Sequence, residues 1–345
     1  MATQTENGKA FEYACLDALY SSLKETGDVE IEDSPQMRTA KKFFDNAEQD
    51  SKNNLILAAK AAARVIIQLE PQLENPNDNL PLYISIQTDA QGIAGDVRDV
   101  VCIRKQNHWQ IGLSCKHNHH AVKHSRLSDT IDFGKEWFDI PCSKQYFSEV
   151  VPLFHELRTI RDDTKDNKPA LWAEIEDKAE RYYRPILRSF LDELNRLAAT
   201  NPDVPAKLIN YLLGRYDFYK VITDDRHRTT RVEAINISGT LNQASGSVKS
   251  IVNVEKLRLP TRFYHTDFKP NSDNTIEVVC DEGWTISMRI HNASSRVEPS
   301  LKFDVQLISL PGSIHAQIEP WDFDEDRFRR LNEYHQKLSN LKADH

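Results

Sequence analysis

The 345-residue sequence has no apolar run approaching the ~20 residues that a membrane-spanning helix needs. Its first residues are polar, and they lack the basic segment and the apolar stretch of a secretory signal peptide. We therefore expect no membrane partner and, by default, a cytoplasmic location.

Cysteine is also scarce, with five residues and no CxxC pair. Scattered thiols of this kind are typical of a reducing compartment, and they argue against a disulfide framework or a cysteine-rich zinc site. The sequence contains no Walker-type phosphate loop either, so we expect no dependence on ATP.

An excess of positive charge is missing as well. The chain has 44 lysines and arginines against 52 aspartates and glutamates, a formal net charge of -8. This balance argues mildly against a protein that coats nucleic acid without specificity. It leaves room for a nuclease, because a nuclease needs only a local basic surface and also carries carboxylates for a metal ion.

The elements that are present follow the order helices, hairpin, helices, strands, helix. Periodicity predicts helices over 8–24, 54–70 and 324–341, a helical region over 148–215, a hairpin over 99–115, and strands over 82–86, 231–237, 251–257, 275–279, 285–290 and 301–308. This order predicts a mixed α/β (α+β) protein, and no clean linker marks a domain boundary.

The hairpin carries the most informative residues. Folding it about its turn brings Asp96 and Asp99 close to the level of Ser114 and Lys116 on the second strand. Two carboxylates can hold Mg²⁺, and a neighbouring lysine can orient or help deprotonate a water and neutralise charge on a phosphate. The alternative is a group of solvated charges at a strand end.

A basic segment follows at once. Residues 116–126 contain three full cations, four histidines and no acid, which would position a phosphate backbone beside the metal. A solvated basic surface is the alternative. Zinc binding by Cys115, His117, His119 and His120 is a weaker one, because alternating residues of one strand rarely converge on one ion.

Six segments of the chain together carry a resemblance to a known family. They are GKAFEYA (8–14), GDVRDV (95–100), IGLSCKHNH (111–119), KHSRLS (123–128), WTISMRIHNA (284–293) and SLKFD (300–304). In these segments the sequence resembles the HaeIII-type family of type II restriction endonucleases, within the PD-(D/E)XK nuclease superfamily. The segments run from near the N-terminus to beyond residue 300, so the resemblance covers most of the chain.

The resemblance implies a core of a mixed β-sheet flanked by helices, dependence on Mg²⁺, and cleavage of both strands of double-stranded DNA at a short palindrome. Enzymes similar to this one are associated with the site GGCC. Cutting a palindrome on both strands most simply needs a homodimer with two-fold symmetry. We expect residues 1–225 to form the catalytic core with helical additions and residues 226–345 a β-rich DNA-recognition part with a C-terminal helix, unless both form one integrated domain.

The resemblance also assigns catalytic roles. Asp96 takes the first acidic position and Lys116 the lysine position, with Asp99 as the alternative metal ligand. Glu12 resembles a helical glutamate that many members of the superfamily aim at the metal. Ser114 stands where the superfamily usually has a glutamate or an aspartate.

Relatives with serine at this position recruit an acid from a following helix. In this chain Asp129 lies at a comparable distance downstream, with Asp132 and Glu136 as further candidates. Asp129 is therefore predicted as a metal ligand together with Asp96, Asp99 and Glu12.

Contacts to DNA are expected from the basic segment and from the C-terminal strands. Arginine or lysine on guanine is the commonest base-specific contact. The predicted DNA-binding residues are His117, Asn118, His119, Lys123, Arg126, Arg289, His291, Asn292 and Lys302, with Arg258 and Arg262 as further candidates. The polar run 239–247 is either a loop that orders on DNA or an idle surface connection.

Two other functions stay open at this point. A DNA-binding protein without catalysis would use the same basic surfaces but would leave the acids and Lys116 unexplained. A nuclease of the same fold in repair would cut without a fixed palindrome.

Overall fold

The computed structural model describes residues 4–74, 79–88, 95–117, 125–163 and 168–322. The helix predicted over 324–341 lies outside these residues, as do three predicted DNA contacts, Asn118, His119 and Lys123. In the described part of the chain, no helix is long and apolar enough to cross a membrane.

Helices dominate the N-terminal part. They are α1 (Gln4–Leu23), α2 (Pro35–Asp45), α3 (Gln49–Leu69) and the short α4 (Pro71–Glu74). The two predicted helices correspond to α1 and α3. Helix α2 was missed, although Pro35 in its first turn and Ser34, whose side chain accepts a hydrogen bond from the Met37 amide, are ordinary start signals.

A seven-stranded mixed sheet, sheet A, forms the centre of the molecule. Its strands in spatial order are β1 (Val29–Ile31), β2 (Leu82–Ile86), β3 (Val100–Arg104), β4 (Trp109–His117), β6 (Phe218–Asp224), β7 (Thr229–Ile235) and β12 (Ala316–Pro320). The pairs β1–β2 and β4–β6 are parallel and the others are antiparallel. The hairpin of β3 and β4 is thus confirmed, with its turn at residues 105–108.

A second, five-stranded antiparallel sheet, sheet B, lies in the C-terminal part. Its strands in spatial order are β5 (Arg126–Ser128), β11 (Ser300–Ser309), β10 (Thr285–His291), β9 (Thr275–Cys280) and β8 (Phe263–Phe268). Between β5 and β6 along the chain lie the helices α5 (Phe133–Phe138), α6 (Lys144–Asp162), α7 (Arg184–Thr200) and α8 (Val204–Leu213). The predicted class, a mixed sheet flanked by helices with a β-rich C-terminal part, is confirmed.

Each sheet has its own core. One face of sheet A packs on α1 and α3, where Ile111 and Leu113 point inwards as the alternation of β4 predicts. Sheet B packs on α5 to α8, and aromatic rings such as Phe133, Phe190 and Phe303 meet there. The two cores fix α1, the β3–β4 hairpin and sheet B in place around one cavity.

The two parts of the chain exchange strands. The C-terminal strand β12 completes the edge of sheet A, whereas β5 from the first part completes the edge of sheet B. The predicted boundary at residue 225 falls in the turn between β6 and β7, which are neighbours in sheet A. This exchange favours the alternative of one integrated domain, which stays a prediction.

The prediction of a strand over residues 251–257 was wrong, because these residues form no strand. Side chains, and not a strand ladder, satisfy part of its backbone: the Asn236 amide donates to the Val254 carbonyl at 3.2 Å. The preceding run 239–247 is held by a buried carboxylate, since Asp217 accepts hydrogen bonds from the amides of Ile237, Ser238 and Thr240. An apolar alternating run does not reveal such side-chain anchors.

Candidate active site

Asp99 and Lys116 meet at the end of the β3–β4 hairpin. Val100 lies opposite Leu113, so Asp99 comes to the level of Ser114. The Asp99 carboxylate accepts a hydrogen bond of 2.7 Å from the Cys115 amide, and Lys116 Nζ lies 3.5 Å from Asp99 Oδ2. The hairpin therefore delivers one carboxylate and one ammonium group to the same point.

Helix α1 adds a second carboxylate. Glu12 is buried, with 7% of its surface exposed, and its Oε2 lies 3.1 Å from Lys9 Nζ one turn earlier on the helix. Burial raises the pKa of Glu12 to about 7; repulsion by Asp99 acts in the same direction, and attraction to Lys9 and Lys116 opposes it. Because Glu12 and Asp99 repel each other, a cation bound by both carboxylates would relieve this repulsion.

Lys116 is held in its charged form. Partial burial disfavours the charge, but attraction to Asp99 and Glu12 outweighs it, so the pKa of Lys116 lies above its ordinary value. A permanently charged lysine can neutralise and orient an anion. It does not act as a base in this state.

Ser114 and Lys220 form a polar pair of register neighbours behind this site. Ser114 on β4 is buried and lies opposite Lys220 on β6, which is also buried. Burial lowers the pKa of Lys220 to about 8; repulsion by Lys116 adds to this, whereas Glu233 opposes it. Sequence reasoning missed Lys220, although a lysine inside the apolar run of β6 was a visible signal.

Asp96 has a different environment. Its carboxylate accepts hydrogen bonds from Arg98 Nε at 2.8 Å and Arg98 Nη2 at 2.7 Å, and a further one from Gln87 at 3.1 Å. The Arg98 guanidinium lies 4.0 Å from the Tyr216 ring centre, and its alkyl chain fills the space above Gly112, where a Cβ atom would lie 2.2 Å from Arg98 Cδ. The structure therefore gives the charge of Asp96 to Arg98 and does not place this residue among those lining the cavity at Lys116.

The acids downstream are also engaged elsewhere. Arg158 binds both oxygens of Asp129, at 2.7 and 2.5 Å. Asp132 caps α5 by accepting from the Lys135 amide at 2.9 Å, and Glu136 is exposed on the same helix. The structure brings none of the three to the wall of the cavity at Lys116.

A cavity of about 530 Å³ opens above Glu12 and Lys116 and lies between the two sheets; Asp99, the partner of Lys116, is not among its lining residues. Helix α1 and the end of β4 form one wall, with Lys9, Glu12, Lys116 and His117; strands β10 and β11 form the other, with Arg289, His291, Lys302 and Asp304. Four full cations and two carboxylates, those of Glu12 and Asp304, thus line the cavity, in a chain whose overall charge is negative. This local excess suits a polyanionic ligand.

Three of the predicted recognition residues lie on the sheet B wall. Arg289 is 55% exposed in its side chain and pairs with Asp304 across the strands at 3.1 Å, whereas His291 stands opposite Lys302. Asn292 is instead buried, and its amide donates to the carbonyl groups of the following turn. Asn292 thus holds the loop after β10.

The other predicted contacts lie away from this wall or at its edge. His117 lines the cavity, and its Nε2 lies 3.3 Å from Asp225 Oδ2. Arg126 is exposed and pairs with Glu298 at 3.3 Å. Arg258 and Arg262 are exposed and do not line the cavity.

The donor set of the site fits a hard divalent cation. Among the described residues no group of three or more histidine, cysteine or acid side chains could hold a metal ion. Mg²⁺ is commonly held by one or two carboxylates together with substrate phosphates and waters, which Glu12 and Asp99 can provide. Zinc fits poorly, because Cys115 packs in the core beneath sheet A and His117 is paired with Asp225, so these two side chains have other partners.

Comparisons with known proteins give matches over most of the chain. The model of the HaeIII restriction endonuclease family matches residues 8–311. The chain is similar to the type II restriction enzyme HaeIII of Haemophilus aegyptius, with 39% identity over 318 residues that cover 92% of this chain and 98% of the relative. No solved structure matches it.

Proposed function

Because this chain belongs to the HaeIII restriction endonuclease family, we propose that it hydrolyses both strands of double-stranded DNA at a short palindromic site with the help of Mg²⁺. The observation that carries the proposal is that Glu12 and Lys116 line one side of a cavity, with Asp99 paired to Lys116, while the other side presents cations. Family membership by itself suggests a divalent metal and double-stranded DNA as the partner.

Glu12 and Asp99 are the residues that would hold Mg²⁺. A bound Mg²⁺ lowers the pKa of a coordinated water and stabilises charge on phosphate oxygens. Lys116, fixed by Asp99, would bind the scissile phosphate and stabilise the negative charge that develops during attack. The Cys115 amide holds Asp99 in position for this task. Ser114 has no assigned step, and Asp96 and Asp129 as metal ligands stay predictions.

The wall from sheet B would hold the DNA. Arg289, His291 and Lys302 lie across the cavity from Glu12 and Lys116, so a backbone that passes over this pair also reaches these side chains. We propose that they contact phosphates or base edges, with GGCC, which the sequence resemblance implies, as the first site to test. Asn118, His119, Lys123 and Arg126 remain predicted contacts.

A palindrome is best read by a two-fold assembly, so we propose a homodimer. Each protomer would then supply one Glu12–Asp99–Lys116 site and cut one strand. The division into a core and a recognition part and the cytoplasmic location also stay predictions.

Incubation with plasmid DNA tests the proposed function. With Mg²⁺ the protein is expected to give discrete fragments, and EDTA or the substitution Lys116→Ala is expected to abolish them. Lys41→Ala serves as the matched control, because Lys41 forms an exposed pair with Asp45 far from the hairpin in sequence. A smear would instead indicate a nuclease without a fixed site, and intact DNA with a mobility shift would indicate a binding protein without catalysis.

A further inference from the structure

Lys9 is paired with Glu12, one of the two acids proposed to hold the metal ion. Its ammonium group lies 3.1 Å from Glu12 Oε2, and attraction to Lys9 is among the forces that favour the charged form of Glu12. The Lys9 side chain remains 27% exposed, whereas that of Glu12 is 9% exposed. Lys9 therefore covers the buried acid from the solvent side.

The charges of the site explain why this matters. Glu12 and Asp99 carry two negative charges when ionised, and Lys9 and Lys116 carry two positive charges, so the four groups are balanced. A divalent cation added to this set leaves two uncompensated positive charges in a partly buried place. Such an excess is costly unless an anion arrives with the cation.

Lys9 also has a route to that anion. Gln4, Thr5, Gly8, Lys9 and Glu12 share the face of α1 that lines the cavity, so Lys9 lies between the buried acid and the open space. A lysine side chain has a long flexible stem and a compact charge, and it can change partner within a few ångströms.

Resting on the proposed function, we propose that Lys9 is a positioning residue with two partners. In the free protein it neutralises Glu12 and opposes binding of the metal. When the metal binds with DNA, Lys9 is released from Glu12 and binds a backbone phosphate at the cavity. Lys9 thereby couples metal binding to DNA binding.

Two binding measurements test this coupling through the Lys9→Met substitution. Calorimetric titration of the DNA-free protein with Mn²⁺ at about pH 8.5, where Glu12 is ionised and no proton competes with the metal, is expected to show on the order of tenfold tighter binding, because one competing positive charge has been removed. DNA affinity measured against salt concentration, with Ca²⁺ present to reduce cleavage, is expected to give a slope smaller by about 1. With EDTA the slope is expected not to change, because Lys9 is then paired with Glu12.

Lys41→Met is the matched control, since it removes a lysine from an exposed pair on the neighbouring helix α2. Unchanged or weaker Mn²⁺ binding by Lys9→Met would overturn the proposal. A slope reduced equally in Ca²⁺ and EDTA would also overturn it, because Lys9 would then be a permanent phosphate contact. Failure of the proposed nuclease function would show separately, as wild-type protein that leaves plasmid DNA intact in Mg²⁺.

Discussion

Two acids three residues apart, Asp96 and Asp99, have opposite surroundings in this molecule. Asp96 is 6% exposed, and two guanidinium nitrogen atoms of Arg98 donate hydrogen bonds to its carboxylate, so the two charges form a buried ion pair. Asp99 is 23% exposed in its side chain, shares Lys116 with Glu12 and raises the pKa of that glutamate. Arg98 neutralises the charge of Asp96, whereas Asp99 and Glu12 are two carboxylates that lie near each other and repel.

The role of an acid at a strand end thus depends on which residues bind it. A carboxylate with a guanidinium of its own stabilises the fold, because the pair is complete. Carboxylates that compete for the same ammonium groups gain from an added cation, so they are suited to bind one. Three predictions sharpen this distinction.

The largest effect is expected on stability from Asp96→Asn. It removes the charge that compensates buried Arg98, so the free energy of unfolding is expected to fall by about 3 kcal/mol. The matched change Asp99→Asn is expected to cost less than about 1 kcal/mol, because Asp99 is partly exposed and repels Glu12. Urea unfolding without metal measures both. Equal losses would remove the distinction between the two acids.

The next effect concerns the pH dependence of stability. Because the folded protein raises the pKa of Glu12 from 4.5 to about 7, the protonated form is favoured, and stability is lost as the pH rises towards and through 7. Glu12→Gln is therefore expected to stabilise the metal-free protein at pH 8, by on the order of 2 kcal/mol relative to its effect at pH 4. Thermal or urea unfolding at the two pH values measures the difference.

Glu70 provides the matched control for Glu12. Burial raises its pKa to about 7 as well, but Tyr219 and the Asn242 amide bind it, and it does not line the cavity above Glu12. Glu70→Gln is expected to change the pH dependence of stability in the same direction while leaving Mn²⁺ binding unchanged. Loss of Mn²⁺ binding in both variants would contradict the assignment of Glu12.

The sequence predicted the local parts of this arrangement well. The alternation of β4 and the length of the hairpin turn placed Asp99 beside Lys116, and the apolar spacing of α1 predicted the helix that carries Glu12. These features depend on neighbours in the chain. That Glu12 lies near the hairpin was predicted from the family resemblance and not from periodicity.

Contacts between distant segments could not be predicted from the sequence. Asp129 is taken by Arg158 and Asp132 by the start of α5, and neither partner is visible from spacing alone. Strand β6, which carries Lys220 next to Ser114, was also missed. The lysine inside the apolar run of β6 is visible in the sequence, but its place beside Ser114 follows from the parallel pairing of β4 with β6, which no local pattern predicts.

The smallest expected effect comes from a comparison of two of the arginines that pair with acids, Arg98 and Arg289. Arg289 is 55% exposed in its side chain and makes one hydrogen bond to Asp304, whose side chain is 10% exposed, so its free nitrogen atoms can reach DNA while this bond is kept. Arg289→Ala is expected to weaken binding of the cleaved sequence by about 1 kcal/mol, or roughly fivefold, and to lower thermal stability less than Asp96→Asn does, because buried Asp304 loses one exposed partner. Arg188→Ala is the control, because Arg188 is 54% exposed in its side chain, pairs with Asp267 of β8 and does not line the cavity. Affinity loss of equal size in both variants would mean that Arg289 contributes only general charge, and the cavity wall would then have no special part in recognition.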